Sequence, residues 1–540
     1  MKNLFAHISS QDHRERDLTV KELNLSRIVF SLSAIVILAK FFGFAEKIVI
    51  AQFFGTGAKA DVYFAVTGII FSIFFLVKEL IYPSLLPVFT ESISESIQTS
   101  TALFKKVFIL CGVILSIFSL IMALFPAAFT SLLVPGFSED KKNLTSVLLR
   151  FLSPAVVFLG LSTITYTVLN SQKKFITASL IEGGMKFFIV AGLIILIPFI
   201  DIYALAVVFT IGAGISLFLQ LYFIPQSREL FKKNISQAKQ QFQKMLKLTN
   251  PLVAGVIFSH ISGLVANMLA STQPTGHLAY LNFSRKLIDA ILLVGPVALM
   301  TVVYAQLSQL SLLATLDEFK KLFEKTLRIL LYFSVPCAVL LVTLREPIIR
   351  LLFERGQFNS ESTFGTSKGL FIYGIGLVTL SLESLIVYGF YALSNTKTPV
   401  KIGILCVLID IILALSLLGP FGYLGIAWAF VISKTIKVTL LFGNLEKRLS
   451  FIYSTRLFGF IGKLALTTVI AIFVLHFLVN FNNQNPPIQS FLFDLLIPAG
   501  GFILVFILCS YLLKIEEMRY AWQILSKRKK IKYAALGDQK

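Results

Sequence analysis

Charged side chains stand inside stretches that are otherwise apolar enough to cross a bilayer. Lys40, Glu46 and Lys47 interrupt the first such stretch, and Lys78 and Glu79 the second, with Asp61 at its mouth. Glu182 and Lys186 follow in the fifth, then Arg285, Lys286 and Asp289 in the eighth. Glu383, Asp410, Lys434 and Lys437 fall in the tenth to twelfth. An ionisable group near the bilayer centre costs roughly 2.5–3.5 kcal/mol on insertion scales, so such groups face a protein interior or a wet cavity. Cations concentrate in stretches one, two and eight. A cavity lined by those helices is cationic and suits an anion. Arg285 and Lys286 carry this reading best, because the single acid one turn away, Asp289, cannot neutralise both. Glu182 and Lys186 stand four residues apart and are expected to pair within their helix. Glu383 and Asp410 are isolated acids; each reads equally as a proton or sodium site and as a partner for Lys434.

Other chemistry is missing. The glycine-rich FGTGAKAD lacks the GK[ST] ending that cradles a nucleotide phosphate. No HExxH, no GxSxG and no metal-spaced His/Cys cluster occurs, and the five histidines are scattered. The four cysteines lie inside apolar runs, where they read as small packing residues. Catalysis is therefore not expected, a membrane glycosyltransferase included, since the short outer loops hold no acidic cluster. No cofactor is expected either; Na+ or H+ and the membrane potential are the candidate energy sources.

The elements that position these residues follow from composition. The 540 residues are 56% hydrophobic and only 14% charged, with a mean hydropathy of +0.82. Soluble chains carry about 25% charged residues, so a cytosolic enzyme, a secreted scaffold and a disordered chain are excluded. A spanning helix needs roughly 20 apolar residues. Fourteen such stretches are read, at about 26–54, 62–89, 104–134, 145–170, 175–200, 202–225, 246–271, 279–309, 326–353, 366–393, 399–419, 423–444, 457–481 and 490–513. The first 25 residues are polar, and no signal-peptide cleavage site follows them.

The net charge of +21 reads as topology rather than nucleic-acid binding. With the N-terminus inside, about 32 basic residues fall on the cytoplasmic side, against Lys59, Lys141, Lys142 and Arg355 outside. Both termini are then cytoplasmic. The expected organisation is a cytoplasmic segment 1–25, a six-span N-lobe 26–225, a basic amphipathic linker 226–245 and a six-span C-lobe 246–445. An appended pair of spans, 446–513, and a basic cytoplasmic tail, 514–540, follow. In the linker, Phe231, Ile235, Phe242 and Met245 are expected on one face of a surface helix. Two repeats around a central cavity are a common transporter plan. Pro83, Pro87, Pro154, Pro296, Pro336 and Pro347 lie in or near spans, where proline kinks a helix unless neighbours resatisfy the backbone.

Three ordered stretches carry a resemblance: AKFFGFAEKIVIAQFFGTGAKADVYFAV with KELIYPSLLPVF (39–89), LFERGQF (352–358) and FYALSNTKTPVKI (390–402). Together with the fourteen spans they resemble the MurJ (MviN) lipid II flippase family of the multidrug/oligosaccharidyl-lipid/polysaccharide exporter superfamily. The resemblance implies an all-α membrane protein with two six-helix lobes in a V around a cavity, and a groove beside spans 13 and 14 for a polyprenyl tail. It implies transport of an undecaprenyl-diphosphate glycan, lipid II in the type members, from the inner to the outer leaflet by alternating access. The family's cavity arginines fall on Lys40, on Glu46 (a charge reversal followed at once by Lys47), near Phe74 with Lys78 one turn on, and on Lys286 or Arg285. Lys40, Lys78, Arg285 and Lys286 are thus the expected diphosphate ligands, with Glu46, Lys47, Asp61 and Glu79 in cavity or gating roles. Asn267, Asp410 and Ser433 are the nearest candidates for the coupling-ion site known in some members. The expected partners are the lipid-linked glycan, membrane lipids and cell-wall synthesis proteins. The altered arginines favour, as a rival substrate, another lipid-linked oligosaccharide such as an O-antigen or capsule unit. A small-molecule antiporter of the same superfamily and a non-transporting membrane scaffold are the remaining alternatives.

Overall fold

The computed structural model describes residues 34–229, 238–312, 316–449, 455–484 and 491–518. The polar N-terminal segment, the linker residues Phe231 and Ile235, and the basic run Lys527 to Lys532 lie outside them. The described residues are helical almost throughout, as an apolar solvent demands: a helix satisfies its own backbone donors and acceptors.

Helix α1 covers 34–54. It is followed by α2 (Ala58–Glu95), α3 (Ile97–Leu124), α4 (Pro126–Leu133), α5 (Glu139–Ser171), α6 (Phe175–Ile200), α7 (Tyr203–Tyr222) and α8 (Lys239–Ser271). Then come α9 (His277–Leu292), α10 (Ala298–Leu312), α11 (Leu316–Thr343), α12 (Arg345–Phe353), α13 (Ser360–Ala392), α14 (Lys397–Phe421), α15 (Tyr423–Leu449), α16 (Thr455–Gln484) and α17 (Phe491–Leu512). Thirteen described segments are long and apolar enough to cross a membrane. With α1, which carries three charges in its 21 residues, they correspond one for one to the fourteen stretches read from the sequence.

The departures are local. The third stretch breaks at Phe125, where Pro126 opens the short α4. Proline is favoured there because the first turn of a helix has no use for its missing N–H. The eighth stretch contains a π-helical turn, Leu293–Val297, that takes up Pro296 between α9 and α10. The ninth ends in a separate helix, α12. By contrast, α2 runs on through Pro83 and Pro87. The second half of the expected surface linker is the opening of α8, where Met245 is buried and Phe242 packs against a hydrophobic core.

The chain packs as two compact units. The first holds the described residues up to Ile50 together with Ala65–His260; the second holds Ala51–Phe64 and the described residues from Ile261 onward. In the first unit α5 is the central helix, and Leu85, Phe89, Phe104, Ile164 and Val168 form the core around it. Its buried hydroxyls bond back into its own ladder, Thr167 to the Thr163 carbonyl at 2.7 Å for example. This lets a polar residue sit inside a membrane helix at little cost. In the second unit α13 is central and packs on α9, α11 and α15. Helices α16 and α17 join that unit through α11, with Phe460, Leu464, Phe502 and Phe506 packed beside Tyr332 and Val335. Arg328 of α11 fastens the end of the pair, 3.1 Å from Glu517 and 3.6 Å from Glu516.

Candidate functional site

In the first unit Lys40 is exposed on α1. Glu46 and Lys47 are almost fully buried and pair at 3.0 Å. The reversed charge at Glu46 is thus matched by its neighbour. Lys78 on α2 lies 3.4 Å from Glu182 of α6, with the Tyr166 ring 5.3 Å away and Phe74 at 5.6 Å. Glu182 therefore meets Lys78, not Lys186. The helical spacing was right for an in-helix pair, but the ammonium of Lys186 lies over the Phe71 ring at 4.9 Å instead. Glu79, the next residue after Lys78, meets His260 of α8 at 3.4 Å, and the His260 ring stacks parallel to Phe75.

In the second unit Arg285 and Lys286 share one acid. Arg285 Nε lies 3.3 Å from Asp289 Oδ1, and Lys286 Nζ 3.4 Å from Oδ2. One carboxylate faces two cations, and a unit of positive charge remains. The Arg285 guanidinium also lies over aromatic rings, 3.9 Å from the Phe430 ring centre and 5.7 Å from that of Tyr373. Such contact suits a planar, weakly hydrated cation. A guanidinium offers a planar fork of N–H donors, the geometry that binds a carboxylate or phosphate in bidentate fashion.

Asp61 is buried and caps α9. Its oxygens accept the backbone N–H of Gly276 at 2.8 Å and of Ala279 at 3.0 Å. A carboxylate there satisfies two orphan donors and complements the positive end of the helix. Around it two of the signature stretches interlock. The Gln357 amide donates to the Gln52 carbonyl at 2.9 Å, and the Thr56 and Ser362 hydroxyls meet at 2.7 Å. Gly55 and Gly356 both take φ of +56°, and a Cβ on either would stand 2.2–2.3 Å from a backbone oxygen of the facing stretch. Only glycine accepts both the dihedral and the approach.

Of the expected coupling-ion residues, Asp410 and Ser433 come together and Asn267 does not. Asp410 accepts from Ser433 at 3.3 Å and, more closely, from Ser262 of α8. Asn267 is half-buried and bonds to neither. Ser262 was missed from the sequence, since a lone serine on an apolar face gives no signal. Glu383, the other isolated acid, takes both Lys434 at 2.9 Å and Lys437 at 2.6 Å. The Lys434–Lys437 spacing of three was the available clue that both share a helix face. Among the described residues no cluster of three or more His, Cys, Asp and Glu could hold a metal ion.

The outward surface is apolar. Phe199, Tyr222 and Phe473 are each more than 70% exposed, as suits acyl chains rather than water. A groove along α17 is lined by Ile503, Leu504, Ile507, Leu508 and Tyr511.

The family model described as lipid II flippase MurJ matches residues 50–495. A probable lipid II flippase MurJ from Buchnera aphidicola (subspecies Schizaphis graminum) is 25% identical over 94% of this chain and 100% of its own length. A second, from Vibrio cholerae, is 26% identical over 81% of this chain and 85% of its own. A solved structure of lipid II flippase MurJ in an inward closed conformation superposes with a TM-score of 0.77 at 25% identity, covering 89% of this chain and 98% of its own. An inward-facing multidrug MATE transporter of the MOP superfamily shares the fold alone, at a TM-score of 0.64 and 13% identity over 77% of this chain and 96% of its own.

Proposed function

The chain belongs to the MurJ family of lipid II flippases, and from that premise we propose that it carries lipid II from the cytoplasmic to the outer leaflet of the bacterial inner membrane. It does so by alternating access, with both termini in the cytoplasm. The reading within the structure rests on one observation: Arg285 and Lys286 hold a single carboxylate between them and leave positive charge over.

In this reading the diphosphate of the substrate enters from the cytoplasm and is bound by cations, with Lys40 and Lys78 the candidates in the first unit and Arg285 and Lys286 those in the second. Charge-assisted hydrogen bonds offset the desolvation of the headgroup. Glu182 keeps Lys78 in place until the phosphate arrives, and Asp289 does the same for its two cations. The polyprenyl tail stays in the bilayer along the apolar groove of α17, so only the headgroup crosses. An inside-negative potential favours outward movement of the anion by about 2.3 kcal/mol per charge per 100 mV. Asp410 with Ser262 and Ser433 offers hard oxygen donors of the kind Na+ prefers, and a proton on Asp410 would serve the same coupling role. Partners among the cell-wall synthesis proteins follow from the substrate.

The test is reconstitution. Purified chain in vesicles with lipid II in one leaflet should move it to the other, and Arg285→Ala with Lys286→Ala should slow that movement at least tenfold. Movement of another polyprenyl-linked oligosaccharide at the same rate, with none of lipid II, would defeat the reading.

A further inference from the structure

The cluster of Lys434, Glu383 and Lys437 has no part in the transport reading above. Both ammonium groups meet the same carboxylate oxygen, Glu383 Oε1, at 2.9 and 2.6 Å. A carboxylate inside a helical bundle needs one cation for its own neutralisation. A second leaves net positive charge where charge is expensive. Each ammonium has three N–H donors and spends one on Glu383. The two lysine side chains keep 28% and 18% of their surface exposed.

The arrangement repeats the stoichiometry of Arg285, Lys286 and Asp289, two cations on one acid. Phe430 links the two clusters. The Arg285 guanidinium lies 3.9 Å from its ring centre and the Lys434 ammonium 5.7 Å from it. Asp410 adds a third acid to the neighbourhood, engaged by the hydroxyls of Ser262 and Ser433. Four cations then stand against three carboxylates, and an excess of one persists.

We propose that Lys434 and Lys437 form a second oxyanion station beside Arg285 and Lys286, binding a further anionic group of the transported headgroup. Glu383 spaces the two ammoniums when the station is empty and shares them when the anion is bound. The identity of the anion rests on the lipid II reading, which supplies two sources of one chemistry: a phosphate of the diphosphate and a carboxylate of the attached peptide.

Equilibrium binding to the purified full chain, with undecaprenyl diphosphate and with lipid II as probes, separates them. The double variant Lys434→Gln, Lys437→Gln is expected to weaken binding roughly tenfold or more. A loss confined to lipid II assigns the peptide carboxylate; an equal loss for both probes assigns the phosphate. Glu383→Gln frees both lysines and is expected to bind the same probe more tightly. Unchanged affinity for both probes in the double variant overturns the proposal. Should that variant not fold, equal or weaker binding by Glu383→Gln overturns it instead. A double variant with unchanged binding and unchanged lipid II flipping removes the station and leaves the function. Binding of undecaprenyl diphosphate through the two lysines, without flipping of lipid II, removes the function and leaves the station.

Discussion

The carboxylate of Asp61 closes the N-terminus of α9, accepting the Gly276 amide on one oxygen at 2.8 Å and the Ala279 amide on the other at 3.0 Å. The helix so capped is the one that carries Arg285 and Lys286, nine and ten residues on from Gly276. Asp61→Ala removes both acceptors from buried donors and is expected to destabilise the chain by about 1–3 kcal/mol. Asp61→Asn keeps one acceptor and should lose less. Thermal unfolding of the purified protein gives the order wild type, Asn, Ala; equal midpoints would show that the cap contributes nothing.

Gly356→Ala places a methyl group 2.2 Å from the Gln52 carbonyl oxygen in a residue at φ +56°. Neither the dihedral nor the facing backbone can yield cheaply, so the expected cost exceeds about 1 kcal/mol. Gly43→Ala, on α1 with nothing within 4 Å of the added atom, is the control and should not lower stability, since alanine suits a helix interior better than glycine. A lowered melting temperature in the first and not the second is the expected result.

These two sites show what was legible in the sequence. The FGTG and ERGQF stretches stood out as signatures, and Asp61 as a charge at a helix mouth. That they interlock was not legible, because they lie about 300 residues apart and nothing local to either specifies its partner. The helices were read nearly one for one, since hydropathy over 20 residues is a strong local signal. The break at Phe125 was not, because the apolar pattern runs through it; that at Leu344 was passed over although Arg345, Glu346 and Pro347 follow it at once. Pairings inside the membrane were the weakest part. Spacing joined Glu182 to Lys186, whereas packing joins it to Lys78 of another helix. Only tertiary contact decides between a partner one turn away and a partner across a helix interface.

Arg285 distinguishes charge from geometry. Arg285→Lys keeps the charge but loses the fork and the guanidinium contact with the Phe430 ring. It is expected to slow transport several-fold, with Arg285→Ala slower again by about tenfold. Flipping rates in reconstituted vesicles at one protein density check this; equal rates for Lys and Ala would place the whole contribution in the fork and ring contact.

Asp410 is the test of coupling. Asp410→Asn retains one oxygen for the Ser262 and Ser433 hydroxyls and removes the charge that a cation or proton would answer. Transport by the wild type is expected to respond to an imposed Na+ or proton gradient, and the variant to lose that response while keeping its melting temperature within a few degrees. A variant that responds as the wild type does would remove Asp410 from coupling.

The central claim is that cations left in excess inside the helical bundle carry the headgroup of lipid II across the membrane. The direct measurement is the rate at which lipid II becomes accessible in the opposite leaflet of vesicles holding the wild type or the Arg285→Ala, Lys286→Ala variant. The account predicts rapid exposure with the wild type and at least a tenfold slower rate with a folded double variant. Equal rates for the two proteins would contradict it.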